Sequence, residues 1–287
     1  MEDKKIFDKS PLNYIGNKYK LLPQIYTLFP KDINVFVDLF TGGGDVCSNV
    51  EAKYKYANDI NNYVIGIYKK FQSKDIKYIL EYIDKVIKKY ELSTENREGY
   101  DNLRKKYNSA KRKNPLDLFI LSCYSFNHQI RFNSNGEFNC PFGKDRSCFN
   151  DSIKQNLIKF HKNISNVKFS SLEFKSFDFS ILKEGDFIYL DPPYNISTGS
   201  YNDGKRGFNG WSEKDDEALF KILDELNERK VKFALSNVTE HKGLKNEKLI
   251  KWKEKYTTHE LNFNYNNSNY QSKSKENKTI EVLITNY

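Results

Sequence analysis

The chain has 287 residues and a formal charge of +9, from 47 basic and 38 acidic side chains. This length accommodates one or two domains, and a basic, aromatic-rich chain favours a polyanionic partner such as nucleic acid. No apolar run approaches the roughly 18 residues of a membrane-spanning helix, and "MEDKKIFDKS" lacks the apolar segment of a signal peptide. The four cysteines form no CxxC pair, so we expect a cytoplasmic protein without a metal site.

The first half of the chain predicts two strands, a run of helices and a hairpin. Residues 35–40, "VFVDLF", form an apolar run that enters a glycine turn, and a second short strand is predicted at 54–58. From 61 to 121 apolar residues recur at helical spacing. Asn135-Gly136 lies between aromatic-bearing flanks and is typical of a hairpin, because both central residues of that turn tolerate positive φ.

In the second half strands alternate with helices again. Strand-like runs lie at 166–170 and 186–190, and "SEKD" at 212–215 resembles a capping box that begins a helix. "VKFALSN" predicts a further strand, and a polar stretch at 264–278 separates "HELNF" from "TIEVLI", a predicted late strand pair. This alternation predicts an α/β fold with a mostly parallel sheet and an inserted helical segment.

The glycine turn "DLFTGGGD" follows the first strand, where open α/β sheets bind ligands. It lacks the GxGxxG spacing of dinucleotide folds and the GK[ST] of a P-loop, and no lysine neutralises a triphosphate. Asp38 and Asp45 would instead attract a cation such as a sulfonium or ammonium group. Asp59 ends the next strand, and a carboxylate there can accept both ribose hydroxyls.

The stretch "FIYLDPPYN" at 187–195 brings a carboxylate to the same edge of the sheet. Pro192 and Pro193 fix their own φ and push the residue before each into an extended conformation, so the segment is stiff. Prolines donate no backbone N–H, so the carbonyls of Asp191 and Pro192 face no competing backbone donors. This row of acceptors suits an exocyclic amine, whose ring can stack on Tyr194.

"DPPY", together with "DLFTGGG", "NDI" and "NYIGNK", resembles the Dam-type, D12-class DNA adenine-N6 methyltransferases, in particular the short phage-type members. The resemblance covers nearly the whole chain, in the family's order. It implies a class I, Rossmann-like fold that uses S-adenosylmethionine as methyl donor. It also implies a catalytic domain of residues 1–61 and 166–287, and a target-recognition domain of residues 62–165 that carries the hairpin.

The resemblance implies methylation of a flipped adenine at N6 in double-stranded DNA, within GATC or a related short site. Asp191 and Pro192 would accept both amino protons and stabilise the positive charge that grows on nitrogen. Tyr194 would stack on the base and offset part of the cost of flipping it. Whether a cognate restriction endonuclease accompanies the enzyme stays open.

Cofactor contacts are also implied by position in the motifs. Asp59 would hold the ribose hydroxyls, while Ile60 and Phe174 would lie on opposite faces of the cofactor's adenine. The full implied set is Tyr14 and Lys18 in "NYIGNK", Asp38, Phe40, Gly42 and Gly44 around the FxGxG loop, Asp59, Ile60, Phe174 of "SSLEF", and Asp191.

The segment 123–146 resembles the recognition hairpin of this family. Arg131 begins it, and arginine can contact guanine O6 and N7 bidentately. Pro141 matches a position that packs on a thymine methyl. Gln129 departs from GATC-reading members, which often have an apolar side chain there, and a glutamine can instead hydrogen-bond a base edge.

Two further features of the resemblance concern the flipped base and the DNA backbone. Phe126 matches an aromatic residue that inserts into the base stack, with Asn127 beside it. Lys144 and Arg146 would meet phosphates or an outer base. The glycine-rich loop after "DPPY", at 195–211, is predicted to fold over the flipped base when DNA binds.

Two other classes of function stay open. A methyltransferase acting on RNA adenine or on cytosine N4 would use the same acceptors, and a DNA-binding protein without catalysis could retain the fold. A zinc site at Cys123, His128, Cys140 and Cys148 is disfavoured, because their spacings lack a CxxC or HxxxH pair.

Overall fold

A computed structural model of the chain describes residues 5–196, 210–262 and 279–287. In these ranges eight strands form one sheet, in the order β3-β2-β1-β4-β5-β8-β7, with the short β6 paired to β5. The strands from β1 to β5 run parallel, whereas β8 is antiparallel to β5 and β7. The strands are β1 Val35–Asp38, β2 Tyr54–Asn58, β3 Val167–Ser170, β4 Phe187–Leu190, β5 Lys232–His241, β6 Leu244–Lys245, β7 Thr257–Leu261 and β8 Thr279–Thr285.

Helices cover both faces of this sheet. The predicted α/β fold with a mostly parallel sheet is therefore confirmed, and the run of helices lies between β2 and β3 as expected. The helices are α1 Leu22–Ile25, α2 Asp45–Asn49, α3 Asn62–Gln72, α4 Ile76–Tyr90, α5 Arg97–Ser109, α6 Pro115–Tyr124, α7 Asp151–Asn163, α8 Glu213–Glu228 and α9 Glu247–Trp252.

The central strands are buried on both faces, which explains their continuous apolar sequences. Phe36, Phe187 and Tyr189 pack on one face with helices α3 to α7. Val37 and Ile188 pack on the other face with α8 and α9. Because the first core runs unbroken from the sheet into the 62–165 segment, that segment has no separate core, and the domain boundaries stay a prediction.

The order of the strands determines where a ligand can bind. Strand β1 lies between β2 and β4, and the chain crosses from β2 to β3 on one side and from β4 to β5 on the other. This reversal opens a crevice at the carboxyl ends of the strands. Strand β1 ends at Asp38 and β4 ends one residue before Asp191, so the glycine turn and "DPPY" meet there.

Several local predictions are also confirmed. Ser212 and Asp215 form the reciprocal hydrogen bonds of a capping box at the start of α8. Strands β7 and β8 are the predicted late pair, and residues 263–278 between them lie outside the described part of the chain. None of the helices in the described ranges has both the length and the apolar character to traverse a bilayer.

The hairpin forms with a different turn from the expected one. Phe132 and Phe138 form an antiparallel bridge, but only Gly136 in the turn has positive φ, at +73°. The Asn133 N–H donates to Glu137 O and the Asn133 Oδ1 accepts from the Asn135 and Glu137 amides. This side chain stabilises a loop one residue longer than the two-residue Asn-Gly turn.

Candidate active site

A cavity of about 240 Å³ opens at the carboxyl ends of β1, β2 and β4. It brings together segments that lie far apart in the sequence: "NYIGNK", the glycine turn, "NDI", the segment after β3 and "DPPY". The predicted cofactor and catalytic residues that line it are Tyr14, Lys18, Asp38, Phe40, Gly42, Asp59, Ile60, Phe174, Asp191 and Pro193.

The glycine turn is held by two side chains that lie outside it. Asp59 Oδ2 accepts from the Gly42 amide at 2.8 Å, and the Tyr68 hydroxyl donates to Gly42 O at 2.8 Å. Gly42 has φ of +48°, and a Cβ there would lie 3.1 Å from the Tyr14 ring. Asp59 Oδ1 accepts from the Asn61 amide, so both oxygens of this carboxylate are held in place by backbone N–H groups.

Gly44 does not contact the cavity in the way that the sequence predicts. A Cβ on Gly44 would lie 2.9 Å from the Phe160 ring and 3.4 Å from the Tyr68 ring, so glycine is needed there for packing against α3 and α7. Among the described residues that line the cavity are Gly42 and Gly43 but not Gly44. The spacing of glycines in a sequence does not tell which of them faces the ligand.

Asp38 presents a buried acceptor at this cavity. It is 1 % exposed, and its Oδ2 accepts from the Cys47 amide at 3.1 Å. Within the described ranges no group hydrogen-bonds its Oδ1. Burial, reinforced by the carboxylates of Asp191 and Asp59, raises the pKa of Asp38 well above its usual range. A cationic or hydrogen-donating ligand group would satisfy this oxygen.

The buried Asp45 carboxyl group should make the stability of the protein depend on pH. Burial raises the pKa of Asp45 to about 6 from an ordinary value of 3.8. Its stabilising contribution is therefore full below about pH 4 and is lost as the pH rises through 6. An Asp45→Asn variant keeps an acceptor for the Ser10 amide. Between pH 5 and pH 8 the free energy of unfolding should fall in both proteins. We expect the fall to be about 1 kcal/mol smaller in the variant than in the wild type.

Urea denaturation at the two pH values measures this difference. The Asp45 carboxylate also helps to raise the pKa of Asp38, so the difference between the two proteins reports Asp45 together with its coupling to Asp38. An identical pH dependence in the two proteins would show that Asp45 has an ordinary pKa.

An aromatic wall closes one side of the cavity near Asp59. The Phe40, Phe174 and Trp211 ring centroids lie 5.2 to 5.7 Å from one another. The Trp211 indole donates to Asp216 at 2.7 Å, which fixes the plane of the ring. Ile60 lies at the rim and is 36 % exposed. Such a wall suits a planar, uncharged ring system.

The Asp191 carboxylate has donors from two side chains. Tyr194 OH donates to Oδ1 at 2.8 Å, and the Lys18 ammonium lies 2.8 Å from Oδ2. The sequence predicts acceptors without competing donors, and this holds only for the backbone, because prolines remove N–H groups and not distant side chains. Each Asp191 oxygen has a second lone pair for an incoming amine. Pro192 is buried and Pro193 lines the cavity.

Three residues that shape this cavity were not predicted from the sequence. Tyr68 and Trp211 carry no motif that separates them from ordinary core aromatics. Glu281 does carry a signal: it is a charged residue inside the apolar run of β8, and it is 6 % exposed. An acid at a core position of a strand requires partners, and its hydrogen-bonding neighbours here are Tyr194 and Lys18.

The predicted base-inserting loop has an unusual backbone. Asn127 and His128 are consecutive non-glycine residues with φ of +54°, a conformation that costs of order 1 kcal/mol or more per residue and concentrates at functional sites. Phe126 before them is 42 % exposed, with the Arg146 guanidinium 5.2 Å from its ring. Asn13 donates to Asn127 O at 2.8 Å, which links this loop to "NYIGNK".

The remaining predicted DNA contacts lie on the same segment. Arg131 donates through Nε and Nη2 to Asn139 at 3.0 Å each, which orients the guanidinium. Pro141 and Lys144 are exposed, and Gln129 is partly exposed. The loop predicted to cover the base falls mostly at 197–209, outside the described residues.

The zinc alternative gains no geometric support. In the described part of the chain no three His, Cys, Asp or Glu side chains lie together as metal ligands. Cys123 and Cys140 are instead buried as free thiols.

The chain is similar to known methyltransferases over nearly its whole length. The Type II methyltransferase M.FokI of Planomicrobium okeanokoites is 48 % identical over 281 residues, which are 97 % of this chain and 43 % of that protein. The modification methylase StsI of Streptococcus sanguinis is 47 % identical over 287 residues, 99 % of this chain and 43 % of StsI. The chain thus spans under half the length of these two relatives.

A more distant relative has a length similar to that of this chain. The DNA adenine methylase of Escherichia coli (strain K12) is 27 % identical over 231 residues, 79 % of each chain. Residues 14–276 match the family model of the D12 class N6 adenine-specific DNA methyltransferases. This range contains the cavity motifs and most of the sheet, and the chain therefore belongs to the D12 class of N6 adenine-specific DNA methyltransferases.

Proposed function

We propose that this chain transfers a methyl group from S-adenosylmethionine to N6 of a flipped adenine in double-stranded DNA. One observation supports the proposal most strongly. The Asp191 carboxylate, the glycine turn and the Asp59 carboxylate all line a single cavity. A polar amine-binding motif next to a ribose-binding carboxylate suits the reaction of an amine with a nucleoside-bearing methyl donor.

The residues of the cavity fit S-adenosylmethionine. Asp59 would accept the ribose hydroxyls, and Phe40, Phe174 and Ile60 would contact the adenine. Asp38, with its unpartnered buried oxygen among the described residues, would face a positively charged or donating part of the cofactor. When bound, the cofactor supplies an electrophilic methyl group on a sulfonium.

Asp191 and Pro192 would act on the adenine amine. Its two N–H groups would donate to the Asp191 carboxylate and the Pro192 carbonyl, which draws the nitrogen lone pair out of conjugation with the ring. Positive charge grows on this nitrogen during transfer, and a fixed carboxylate stabilises it. Tyr194 and Lys18 hold both Asp191 oxygens in place, so the acceptor is oriented before the base arrives.

The surface around Phe126 would open the duplex and read it. An exposed aromatic ring on a conformationally restricted loop suits insertion into a base stack. Arg131, oriented by Asn139, would contact guanine, and Pro141 a thymine methyl. Because Gln129 replaces the apolar residue common in GATC-reading members, GATC stays a prediction for the recognition site.

Replacing Arg131 by alanine is expected to weaken binding to the cognate duplex by about 10- to 100-fold, the value of one bidentate arginine–guanine contact. Fluorescence anisotropy with the cognate duplex and one lacking the guanine measures this loss. The variant should bind both duplexes equally. Lys144→Ala is the control, since loss of a phosphate contact weakens binding to both duplexes alike. If Arg131→Ala retained the wild-type preference for guanine, another residue would read that base.

The product of the reaction separates the candidate functions. DNA without prior adenine methylation is incubated with the protein and S-adenosylmethionine, then digested and analysed by mass spectrometry. We expect N6-methyladenine, and sequencing of the modified positions gives the site. N4-methylcytosine, or methylation of RNA alone, would favour the alternative methyltransferases. DNA binding without any methylated product would favour a non-catalytic protein.

We further propose that the chain works beside a restriction endonuclease. Two of its relatives are named as a modification methylase and a type II methyltransferase, which supports a protective role. DNA methylated by this protein should then resist cleavage by an endonuclease with the same recognition sequence.

A further inference from the structure

Glu281 is a buried acid that the reaction outlined above does not use. It lies on β8, 6 % exposed, on the same face of the sheet as Leu283, since alternate residues of a strand share a face. Burial raises the pKa of Glu281, Lys18 opposes the rise, and Asp191 adds to it. Uncompensated buried charges are costly, so this residue requires a specific role or partner.

Two groups bridge Glu281 to Asp191. The Lys18 ammonium lies 2.8 Å from Asp191 Oδ2 and 3.4 Å from Glu281 Oε1. The Tyr194 hydroxyl lies 2.8 Å from Asp191 Oδ1 and 3.2 Å from the same Glu281 oxygen. The Lys18 ammonium also lies 5.2 Å from the Tyr194 ring centroid. One lysine and one tyrosine are therefore shared between two carboxylates.

The net charge of this cluster depends on Glu281. Asp191 and Lys18 alone would form a neutral pair, because an ammonium 2.8 Å away compensates the carboxylate. Addition of Glu281 gives the three side chains a net charge of −1. Asp38 and Tyr189 also face Asp191 from β1 and β4. The carboxylate that would stabilise positive charge on adenine N6 thus belongs to a cluster that stays negative.

We propose that Glu281 is a positioning residue that shares Lys18 and Tyr194 with Asp191 and so preserves the negative charge available to the adenine amine. The inference rests on the proposed function, since it concerns the same reaction. It adds a requirement that the "DPPY" motif alone does not contain, namely a second carboxylate from the antiparallel strand β8.

The first test replaces Glu281 by glutamine, which keeps the size and an acceptor for Tyr194 but removes the charge. We expect the single-turnover rate of methyl transfer to fall by about 10- to 100-fold, because the cluster becomes neutral. S-adenosylmethionine affinity, measured by calorimetry, should change by less than about threefold. Glu260→Gln is the matched control, an exposed acid on the neighbouring strand β7, and it should retain the wild-type rate.

The second test separates charge from structure. In the double variant Lys18→Met, Glu281→Gln, Asp191 alone restores a net charge of −1. We therefore expect this protein to transfer methyl groups faster than Glu281→Gln, at saturating cofactor. A merely structural role for Glu281 predicts the opposite, since a second substitution in one buried network would lower the rate further. That result would overturn the inference.

Glu281→Asp is a third variant, which keeps the test decisive if Glu281→Gln does not fold. It keeps the charge, so it should stay closer to the wild-type rate than Glu281→Gln does. Equal losses in the aspartate and glutamine variants would refute the charge argument. The wild-type protein separates the two proposals: no adenine methylation by the wild type refutes the proposed function itself. Normal methylation by both the wild type and Glu281→Gln refutes only the role of Glu281.

Discussion

Replacing Asp191 by alanine is expected to lower methyl transfer by about a thousandfold or more, while binding of DNA is largely retained. The carboxylate would provide an acceptor for the adenine amine and negative charge next to the reacting nitrogen, and no other acid follows the stiff end of β4. Its loss also leaves the Lys18 ammonium close to the site, with Glu281 as its counter-ion. Loss of Asp191 therefore changes the net charge of these side chains from −1 to zero, which further disfavours a cationic transition state.

Single-turnover transfer of a radiolabelled methyl group measures this effect, and anisotropy with the target duplex measures binding. Asp191→Asn is the matched variant, because it keeps the shape of the side chain and removes its charge. We expect a loss close to that of alanine. Near-normal turnover by either variant would refute the assignment of Asp191.

The second large effect is expected at Asp59. Asp59→Ala would remove the proposed acceptor for the ribose hydroxyls, and it removes the partner of the Gly42 amide. Hydrogen bonds to a charged group contribute about 1.5–3 kcal/mol each, so S-adenosylmethionine affinity should fall by about 100-fold or more. Calorimetric titration of the free protein measures this loss without the need for turnover.

Two controls make the Asp59 result specific. Asp178 is an exposed acid whose carboxylate caps a short 3-10 turn, so Asp178→Ala should bind the cofactor as the wild type does. Asp59→Asn retains one acceptor oxygen and should fall between the wild type and alanine. Unchanged affinity in Asp59→Ala would place the ribose elsewhere in the cavity.

The position of the cavity was predictable because it follows from strand order. Parallel strands present their carboxyl ends at one edge, so the residues after β1, β2 and β4 had to meet once the sheet was recognised. Asp38, Asp59 and Asp191 could therefore be assigned together from local sequence. The capping box at Ser212 was predictable for a similar reason, since its hydrogen bonds span only three residues.

Other features depend on contacts that local sequence does not encode. Glu281 meets Lys18 from the opposite end of the chain, and only the tertiary fold brings them together. The role of Gly44 depends on the Phe160 ring behind it, which glycine spacing cannot reveal. The hairpin turn differed because the Asn133 side chain hydrogen-bonds the loop amides, a local interaction that competes with the two-residue Asn-Gly turn.

The most direct test of the account is a crystal structure of the protein with S-adenosylmethionine. We predict that the ribose lies on Asp59 and that the sulfonium methyl points at Asp191, with room for one amino nitrogen between them. A cofactor bound outside this cavity, or one whose methyl group points away from Asp191, would contradict the proposed role of the "DPPY" carboxylate.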